Sequence, residues 1–494
     1  MPLSTTLIAA LLSVVACSSD SSKGSIGGPD AGGDASPPQD SGADADAAPV
    51  EGCGDEVRDT DEDCDGSDFG GATCATEVAE GWVGSLACSP TCTLITSGCT
   101  TPVTTYAPLE AAGFSVFELG ALGPEVIGYR GAGFDGRHVY FVPHTRDENH
   151  GLVLRYDTGA SFDAAEAWST FDVATLDPAA VGFQNAAFDG TYLYLIPARG
   201  SEPRGTITRY DTRAPFDQAS SWQAFDLEGV HEDAKGFSGA SFDGRYLYLS
   251  PRNNGSSHGR VLRFDTRADL IATSSWSTFD LTTVNPDARG FEGTSFDGRY
   301  VYFAPYFHGA YHGLVARFDT QADFSAASSW STFDLTSVHA DARGYQGTAF
   351  DGRYLYFAPH RHEARHGRIA RFDTQADFSA VSAWSTFDVS TLDAEATGYQ
   401  GAAFDGRHVY LIPFYNGTAY HGRLARFDTL GALDDAASWS VFDVSTVAPH
   451  GVGFFGAVFD GSHLYLGPSL TSEVIRFEAK SPAWLPARWN ASFF

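Results

Sequence analysis

The residues best suited to ligand chemistry lie in short loops that recur along the chain, five of which end in His-Gly. Three of these loops also carry aromatic and further polar residues. The residues of the three loops that we predict to bind a ligand are Tyr306, Phe307, His308, Tyr311, His312, His360, His362, His366, Phe414, Tyr415, Asn416 and His421. Flat rings beside imidazole and amide groups suit recognition of a sugar, whose ring faces are apolar and whose edges carry hydroxyls.

Two other interpretations of these histidines stay open. The His before Gly recurs at His150, His258, His312, His366 and His421. A repeated His also suits a structural role that ties each loop to a neighbouring strand, since packing positions repeat while specific ones diverge. The three His of one loop, from His360 to His366, are alternative metal ligands, but this pattern is weak, and we predict no metal and no cofactor.

Catalytic residues cannot be assigned from a motif. Gly255-Ser-Ser-His-Gly259 has the spacing Gly-x-Ser-x-Gly, and His362-Glu-Ala-Arg-His366 has the spacing His-Glu-x-x-His. Both fall in loops between predicted strands, whereas the catalytic forms of these motifs need a strand-to-helix turn and a helix, and no Gly-x-x-x-x-Gly-Lys-Ser/Thr phosphate loop occurs. One position of the repeat described below varies between blades, and we expect it to line the mouth of a central channel. Its residues are Arg130, Gln184, Ser238, Glu292, Gln346, Gln400 and Phe455. Glu292 with His308 and His312 would be the first acid–base candidates.

The elements that position these loops belong to a repeat. Phe-Asp-Gly occurs seven times, at intervals of 54 residues and finally 55. It begins at Phe134, Phe188, Phe242, Phe296, Phe350, Phe404 and Phe459. A period of this size indicates an array of supersecondary units, each unable to bury its apolar faces alone.

Each repeat predicts four strands. In the copy that starts at Gly290, a short β-prone stretch leads to Asp297-Gly298, which predicts a type I′ hairpin turn. Two further apolar strands and a fourth at 330–335 follow, without helical periodicity. Arginines repeat after the turn and in the third strand, where we expect a lattice of buried ion pairs or hydrogen bonds. Four strands that are apolar on both faces predict one blade of a β-propeller.

The ends of the array predict how the ring closes. Residues 114–119 match a fourth strand alone, whereas the last copy has no fourth strand after 474–478. The N-terminal strand therefore should complete the last blade and remove a free sheet edge. We predict an all-β, seven-bladed propeller at 101–479, followed by a tail at 480–494.

The blade resembles those of kelch-type propellers. Arg317-Phe-Asp-Thr320 followed by Trp330-Ser-Thr-Phe333 is similar to the kelch Tyr-Asp…Trp segment, and the likeness covers residues 113–479. The kelch double glycine is missing, so the resemblance is architectural. It implies a scaffold that hosts both binding proteins and enzymes, and no one activity.

The start of the chain predicts export and lipidation. An apolar run at 7–16 is too short to span a bilayer and suits a signal peptide. Val14-Val15-Ala16-Cys17 resembles the lipobox of bacterial lipoproteins, although no Lys or Arg precedes the run. We interpret 1–17 as a lipoprotein signal with Cys17 as the lipidated residue. A cleaved secretory signal is the alternative.

A flexible linker and a cysteine-rich module should follow. Residues 18–50 are acidic, rich in Ser, Gly, Ala and Pro, and without aromatic residues, so we predict a disordered linker. The module at 51–100 holds six cysteines, which predict three disulfides of unassigned pairing. They are Cys53, Cys64, Cys74, Cys88, Cys92 and Cys99. The pattern is similar to cysteine-rich modules of secreted myxobacterial proteins.

An acidic turn in this module is a weak calcium candidate. Its carboxylates are Asp61, Asp63, Asp65 and Asp68. The glutamate that would complete an EF-hand loop falls at Ala72, so that site is incomplete. A solvated acidic turn without a metal is the alternative, and it is the one we favour.

Charge and motifs together favour a binding protein. The formal net charge of −31 argues against nucleic acid as a partner. We expect a monomeric lipoprotein of the bacterial outer membrane or cell surface, which touches the membrane only through its anchor and binds a glycan or protein at the propeller mouth. The alternatives are a polysaccharide lyase or glycosidase on the same ring and a structural envelope protein.

Overall fold

The computed structural model describes residues 58–59, 62–65, 68–77, 83–89, 91–100, 104–198 and 202–481. Predictions for the signal peptide with Cys17, the linker at 18–50, Cys53, Asp61 and the tail beyond Ser481 lie outside these residues. The domain boundaries stay predictions. The described chain divides into two compact units, one formed by the residues up to Gly70 with Cys88–Leu94, and the other by the rest.

Seven sheets of four antiparallel strands make up the second unit's repeat region. The first strands of blades one to seven are Tyr129–Phe134, Phe183–Phe188, Phe237–Phe242, Phe291–Phe296, Tyr345–Phe350, Tyr399–Phe404 and Ala457–Phe459. The second strands are His138–Pro143, Tyr192–Pro197, Tyr246–Pro251, Tyr300–Pro305, Tyr354–Pro359, His408–Pro413 and His463–Leu466. The third strands are Leu152–Asp157, Thr206–Asp211, Arg260–Asp265, Leu314–Asp319, Arg368–Asp373, Arg423–Asp428 and Glu473–Glu478. The fourth strands are Trp168–Asp172, Trp222–Asp226, Trp276–Asp280, Trp330–Asp334, Trp384–Asp388, Trp439–Asp443 and, for blade seven, Phe114–Glu118.

Single 3₁₀ turns flank every fourth strand. Those before it are Ala111–Gly113, Ala165–Ala167, Ala219–Ser221, Thr273–Ser275, Ala327–Ser329, Val381–Ala383 and Ala436–Ser438. Those after it are Leu119–Ala121, Val173–Thr175, Leu227–Gly229, Leu281–Thr283, Leu335–Ser337, Val389–Thr391 and Val444–Thr446. The remaining elements are the helix Cys74–Glu77 and the strands Val83–Gly84, Ala87–Cys88, Leu94–Ile95, Cys99–Thr100, Thr105–Tyr106 and Lys480–Ser481.

The ring closes as the repeat count predicts. Phe114–Glu118 pairs with Glu473–Glu478, the third strand of blade seven, with Phe114 opposite Phe477 and Glu118 opposite Glu473. Thr105–Tyr106 pairs in turn with Lys480–Ser481. The first strand of blade seven also contacts that of blade one. The predicted fold class, an all-β propeller of seven blades, is confirmed.

Aromatic stacking joins each blade to the next at the outer strands. The Phe of one fourth strand lies flat on the Trp that opens the next, as in Phe279 on Trp330, with ring centroids 4.7 Å apart. Where the chain ends meet, Phe114 takes the place of that Trp, and Phe442 stacks on it at 5.0 Å. Stacked pairs of this kind stabilise beyond the area that they bury. The closing strand therefore repeats the contacts of the internal ones.

The Asp of each Phe-Asp-Gly organises the first hairpin. In blade four its carboxylate accepts hydrogen bonds from the backbone N–H of Arg299 at 2.8 Å and of Tyr300 at 2.7 Å, and from the Tyr302 hydroxyl at 2.7 Å. The turn itself corrects our prediction. A type I′ turn needs positive φ at two consecutive residues, but here only Gly298 has it, at 103°. The type I′ prediction is therefore wrong at this turn.

The repeated arginines differ from the predicted lattice of buried ion pairs. Those after the turn form ion pairs at the surface, as Arg299 does with Asp319 at 2.7 Å. Those in the third strand lie over aromatic rings, and the Arg317 guanidinium is 4.1 Å from the ring centroids of both Tyr300 and Phe378. The electron-rich faces of the two rings attract the guanidinium, so its positive charge is stabilised without a carboxylate. The expected hydrogen bonds do exist, between arginine Nε and a serine of the fourth strand in several blades.

Two disulfides are resolved in the cysteine-rich segment, Cys64–Cys88 and Cys74–Cys99. Cys92 is also disulfide-bonded. Of the calcium candidates, Asp65 and Asp68 exchange backbone hydrogen bonds at 2.9 and 2.7 Å. A cluster of Glu62, Asp65 and Cys92 has ligand-type atoms close together, but the sulfur in a disulfide is not a thiolate ligand. Whether this turn binds calcium stays untested.

Candidate functional site

A bulge in the first strand of most blades turns one variable residue toward the propeller axis. In blade four the register shifts between Phe291 and Thr294, which leaves Glu292 and Gly293 out of the pairing. Such a bulge re-aims a side chain. At the same level in the next blades, a Cβ on Gly347 would lie 2.5 Å from the Cα of Gly401, so neighbouring backbones touch there. The bulges therefore carry variable side chains above a narrow constriction.

Five of the seven residues that we predicted at the channel mouth line one small pocket, whose volume of about 10 Å³ holds little more than one water molecule. Its wall is made by Asn185, Ser238, Glu292, Gly293, Gln346, Gly347, Gln400, Gly401 and Phe455. Glu292 is the only carboxylate of this wall. The position thus faces the axis, as predicted, and its seven side chains, which are of five types, give the ring an asymmetric centre.

Glu292 belongs to a buried polar network. Gln184 donates a hydrogen bond from Nε2 to one Glu292 oxygen, and Arg252 forms an ion pair with the other. The two blades that supply Gln184 and Glu292 are separated by blade three, whose small Ser238 leaves room for the contact. Gln400 donates to Gln346 at 2.7 Å on the other side. Burial raises the pKa of Glu292, and the nearby Arg252 charge opposes that rise.

The acid–base candidates Glu292, His308 and His312 have different partners. Among the described residues, no hydrogen bond joins Glu292 to His308 or His312. His312 bonds the backbone instead, and its imidazole lies 4.6 Å from that of His308. Glu292 is held by Arg252 and Gln184. A catalytic role for Glu292 with His308 and His312 stays an untested prediction.

A second set of variable residues follows the proline that ends the second strand in blades one to six and that lies two residues beyond this strand in blade seven. It consists of His144, Ala198, Arg252, Tyr306, His360, Phe414 and, in blade seven, Ser469. The loop sequences predict three of these residues, Tyr306, His360 and Phe414, but not the set as a whole. A signal was present, because a position that varies beside a repeated proline contrasts with the uniform strand around it.

The aromatic residues of blades four to six form one continuous surface. We call Tyr306, Phe307, Tyr311, His360, Phe414, Tyr415 and Tyr420 the aromatic sector. Ring centroids lie 5.0 Å apart for Phe307 and Tyr311, and 5.4 Å for Tyr311 and Tyr306. Tyr306 is 5.8 Å from His360, which lies 6.3 Å from Phe414. The structure therefore brings together the predicted aromatic residues of three loops.

The far end of the aromatic sector adds a residue that sequence analysis left out. Tyr420 lies 5.2 Å from both Phe414 and Tyr415. Its side chain is 46% exposed, and that of Phe307 at the opposite end is 37% exposed. Both ends of the sector are thus open to solvent, whereas His360 in the middle is buried.

Arg365 supplies a cation within this sector. Its guanidinium contacts the imidazole of His360 and lies 5.3 Å from the ring centroid of Tyr415. The Nδ1 atom of His360 lies 2.9 Å from the backbone oxygen of Tyr399. Burial and the Arg365 charge hold the pKa of His360 well below its usual range. The imidazole is therefore neutral, and the positive charge at this point belongs to arginine.

The histidines before Gly lie at the base of their loops rather than on the aromatic surface. The Nε2 atom of His312 lies 3.4 Å from the Gly290 oxygen, and its Nδ1 accepts from the Leu314 N–H at 3.3 Å. Its ring packs edge-on against Phe291 at 5.9 Å. Burial lowers the pKa of His312 to about 3. This is the structural alternative that the sequence left open.

His366 and His421 repeat this arrangement. Each packs edge-on against the first tyrosine of its blade, and the Nδ1 of each accepts a backbone N–H at 3.3 and 3.2 Å. Of the remaining predicted residues, His362 lies 4.9 Å from His366, and Asn416 accepts hydrogen bonds from the backbone of its own loop. Their predicted contact with a ligand stays untested.

No protein-family model matches the chain, and no curated protein matches it. Solved propellers do. Virginiamycin B lyase from Staphylococcus aureus is 12% identical with a TM-score of 0.49, over 74% of this chain and 99% of the other. Hydrazine synthase from Kuenenia stuttgartiensis is 14% identical with a TM-score of 0.46, over 72% and 98%. The propeller domain of Myceliophteria thermophila Cps50 (Swd1) is 10% identical with a TM-score of 0.45, over 72% and 97%.

At these identities and TM-scores, the likeness carries no argument about family or activity, and the fold rests on the sheets themselves. The described residues also include no helix with the length and apolar character needed to cross a bilayer.

Proposed function

We propose that the propeller mouth binds a glycan without cleaving it. The observation that carries this proposal is the aromatic sector, in which rings from three blades touch one another and remain exposed at both ends. Rings of this kind offer apolar faces to sugar rings. Arg365 lies among them and can donate to hydroxyl groups.

The arrangement of carboxylates favours binding over hydrolysis. Glycosidases of the common type need two carboxyl groups that face the scissile bond. In the described cavity wall only Glu292 is a carboxylate, and it is engaged by Arg252 and Gln184. A lyase or glycosidase remains the rival function, so a test of binding needs a parallel measurement of product release.

Truncation of the aromatic sector provides the test. Tyr311→Ala, Tyr415→Ala and Tyr420→Ala should each weaken glycan binding by about 1 kcal/mol or more, as for an aromatic residue at an interface. Asp147→Ala in the loop of blade one is the matched control and should have little effect. Binding is measured on a glycan array and by calorimetry, with reducing-sugar release followed in parallel.

Three results would contradict this function. Release of reducing sugars would favour the rival enzyme. Equal losses in the three tyrosine variants and in the Asp147 variant would place the ligand elsewhere. If the loss of affinity in each variant is matched by a fall in its melting temperature, the tyrosines stabilise the fold and do not contact the glycan.

The same proposal places the protein at a bacterial cell surface, with a lipid on Cys17 and a kelch-like propeller as its binding domain. The disulfides Cys64–Cys88 and Cys74–Cys99 support an oxidising compartment. Similarity of the cysteine pattern to myxobacterial secreted modules supports export as well.

The anchor can be tested at one residue. Cys17→Ser should move the protein from the membrane pellet to the soluble fraction, because the acyl chains are the proposed attachment. Cell fractionation with immunoblotting measures this. Val14→Leu, which keeps the cysteine, is the control and should stay in the pellet. Retention of the Cys17 variant in the pellet would make the lipobox interpretation wrong.

A further inference from the structure

A group of arginines lies near the centre of the propeller mouth although the protein is strongly acidic. The formal net charge of the chain is −31. At the mouth, however, Arg130 and Arg252 act on each other electrostatically, and the carboxylate that acts on both is Glu292. Arg365 adds a third cation nearby, on His360. His144 and His360 add no charge, because burial holds their pKa values well below the usual range.

Arg130 is a cation near the centre of the mouth for which the described residues provide no acceptor. Glu292 already forms an ion pair with Arg252 and accepts a hydrogen bond from Gln184. Among the described residues, the Arg130 guanidinium makes no hydrogen bond and no ion pair. It lies over the Phe455 ring, 4.8 Å from the centroid. A guanidinium has five N–H donors, and leaving them without partners in a partly buried place is unfavourable.

Arg130 and the aromatic sector border the same space. Tyr306 and Tyr420, from the middle and the end of the sector, both lie close enough to act on the Arg130 charge. Phe455, beneath the guanidinium, is also 6.4 Å from Phe414 of the sector. A ligand whose sugar ring lies on the aromatic residues would therefore hold its substituents within reach of Arg130.

From this juxtaposition we infer that the site takes an acidic glycan, with the carboxylate of a uronic acid residue on Arg130. This inference rests on the proposed glycan binding and names its substrate class. The planar fork of an arginine matches a carboxylate through two parallel hydrogen bonds. A sulfate ester offers related chemistry, and the experiment separates the two. Glu292 would hold Arg252 in place and leave Arg130 as the contact for the ligand.

The test compares acids with their esters. Polygalacturonate, alginate and hyaluronan, each as the free acid and as the carboxyl methyl ester, are titrated into the full chain by calorimetry. At least one free acid should bind roughly tenfold or more tightly than its ester, as expected for a hydrogen-bonded charge pair. Arg130→Gln should remove that preference and leave the affinity for the ester unchanged. Arg130→Lys should keep only part of it, because the charge remains without the fork.

Arg137→Gln is the matched control, since Arg137 pairs with Asp157 at a surface turn, and it should leave the preference for the free acid intact. The melting temperatures of all variants check that each is folded.

Two results would overturn the inference but not the proposed glycan binding. One is equal affinity for a free acid and its ester. The other is a loss of affinity in Arg130→Gln that is the same for both. If dextran sulfate binds more tightly than every free acid, the inferred carboxylate is wrong and the group that binds Arg130 is a sulfate ester. Binding only to neutral glycans would overturn the inference alone, whereas binding to no glycan would overturn the proposed function as well.

Discussion

A chain without residues 101–120 is expected to unfold far below the melting temperature of the intact protein. The deletion removes the strand Phe114–Glu118, which pairs with Glu473–Glu478 and closes the ring. It also removes Phe117, which stacks on Trp168 of blade one at 4.5 Å. Loss of a buried phenylalanine side chain alone costs about 3–5 kcal/mol. That is a large fraction of the roughly 5–15 kcal/mol by which folded proteins are stable.

The closing strand can be returned as a separate molecule. A synthetic peptide of residues 105–120, added to the deleted chain, should raise its melting temperature, and the rise should grow with the logarithm of the peptide concentration above the Kd. A peptide with Phe114 and Phe117 replaced by Ser is the control and should have little effect, because those rings pack on Phe442 and Trp168. Melting is followed by near-ultraviolet circular dichroism. An unchanged melt of the deleted chain would show that the seam contributes nothing to stability.

The second large effect expected is a loss of stability in mild acid. Burial lowers the pKa of His258 and His421 to about 4, and of His312 and His366 to about 3. It also lowers the pKa of three more histidines. These are His144, His150 and His360.

The direction follows from where the proton binds. In the unfolded chain these imidazoles take a proton near pH 6.5, whereas in the folded chain they stay neutral, so unfolding is favoured as the pH falls below 6.5. Each such group costs about 1.4 kcal/mol per pH unit. Burial raises the pKa of Glu292 and Glu473, which acts in the opposite direction, but two carboxyl groups oppose seven imidazoles. The melting temperature should therefore fall steeply between pH 7 and pH 5.

Single substitutions identify the cause. His312→Gln and His366→Gln should flatten the pH dependence, even though each lowers stability at pH 7 by removing backbone hydrogen bonds. His339→Gln, at a half-exposed position, is the control and should leave the profile unchanged. Thermal melts at half-unit steps of pH measure this. A melting temperature that is flat from pH 7 to pH 5 would mean that the buried imidazoles take up their protons without unfolding.

The fold was predictable because the same pattern of four strands recurs in every repeat. The interval between Phe-Asp-Gly copies sets the number of blades, and the lone strand at Phe114–Glu118 shows how they close. Local chemistry was less certain, as the turn at Gly298 shows. There the Asp297 carboxylate binds two backbone N–H groups and the Tyr302 hydroxyl. That set of contacts, rather than the Asp-Gly pair alone, fixes the turn type.

The site was predictable only in part, because its contacts join residues that the repeat keeps far apart. Three loops could be recognised as aromatic, but the distances that make them one surface depend on how adjacent blades sit. Gln184 reaches Glu292 across a whole blade only because Ser238 between them is small. Arg252 pairs with Glu292 because a bulge turns the latter toward the axis. Such contacts depend on the lengths of side chains and on shifts of the backbone such as the bulge at Glu292. A pattern of strands in the sequence specifies neither.

Closure by the N-terminal strand also has a mechanical consequence. The segment that precedes this strand is attached first, through Thr105–Tyr106 on Lys480–Ser481 and through the Ala107 oxygen, which accepts from Arg426 at 2.7 Å. Tension applied to the chain upstream of Thr105 must break these contacts before it reaches Phe114–Glu118. Only then would blade seven lose its outer strand, while blades one to six keep all of theirs. Under load, the N-terminal strand would therefore detach before any other strand of the ring. The remaining blades would stay folded, and the strand would pair again when the force is released.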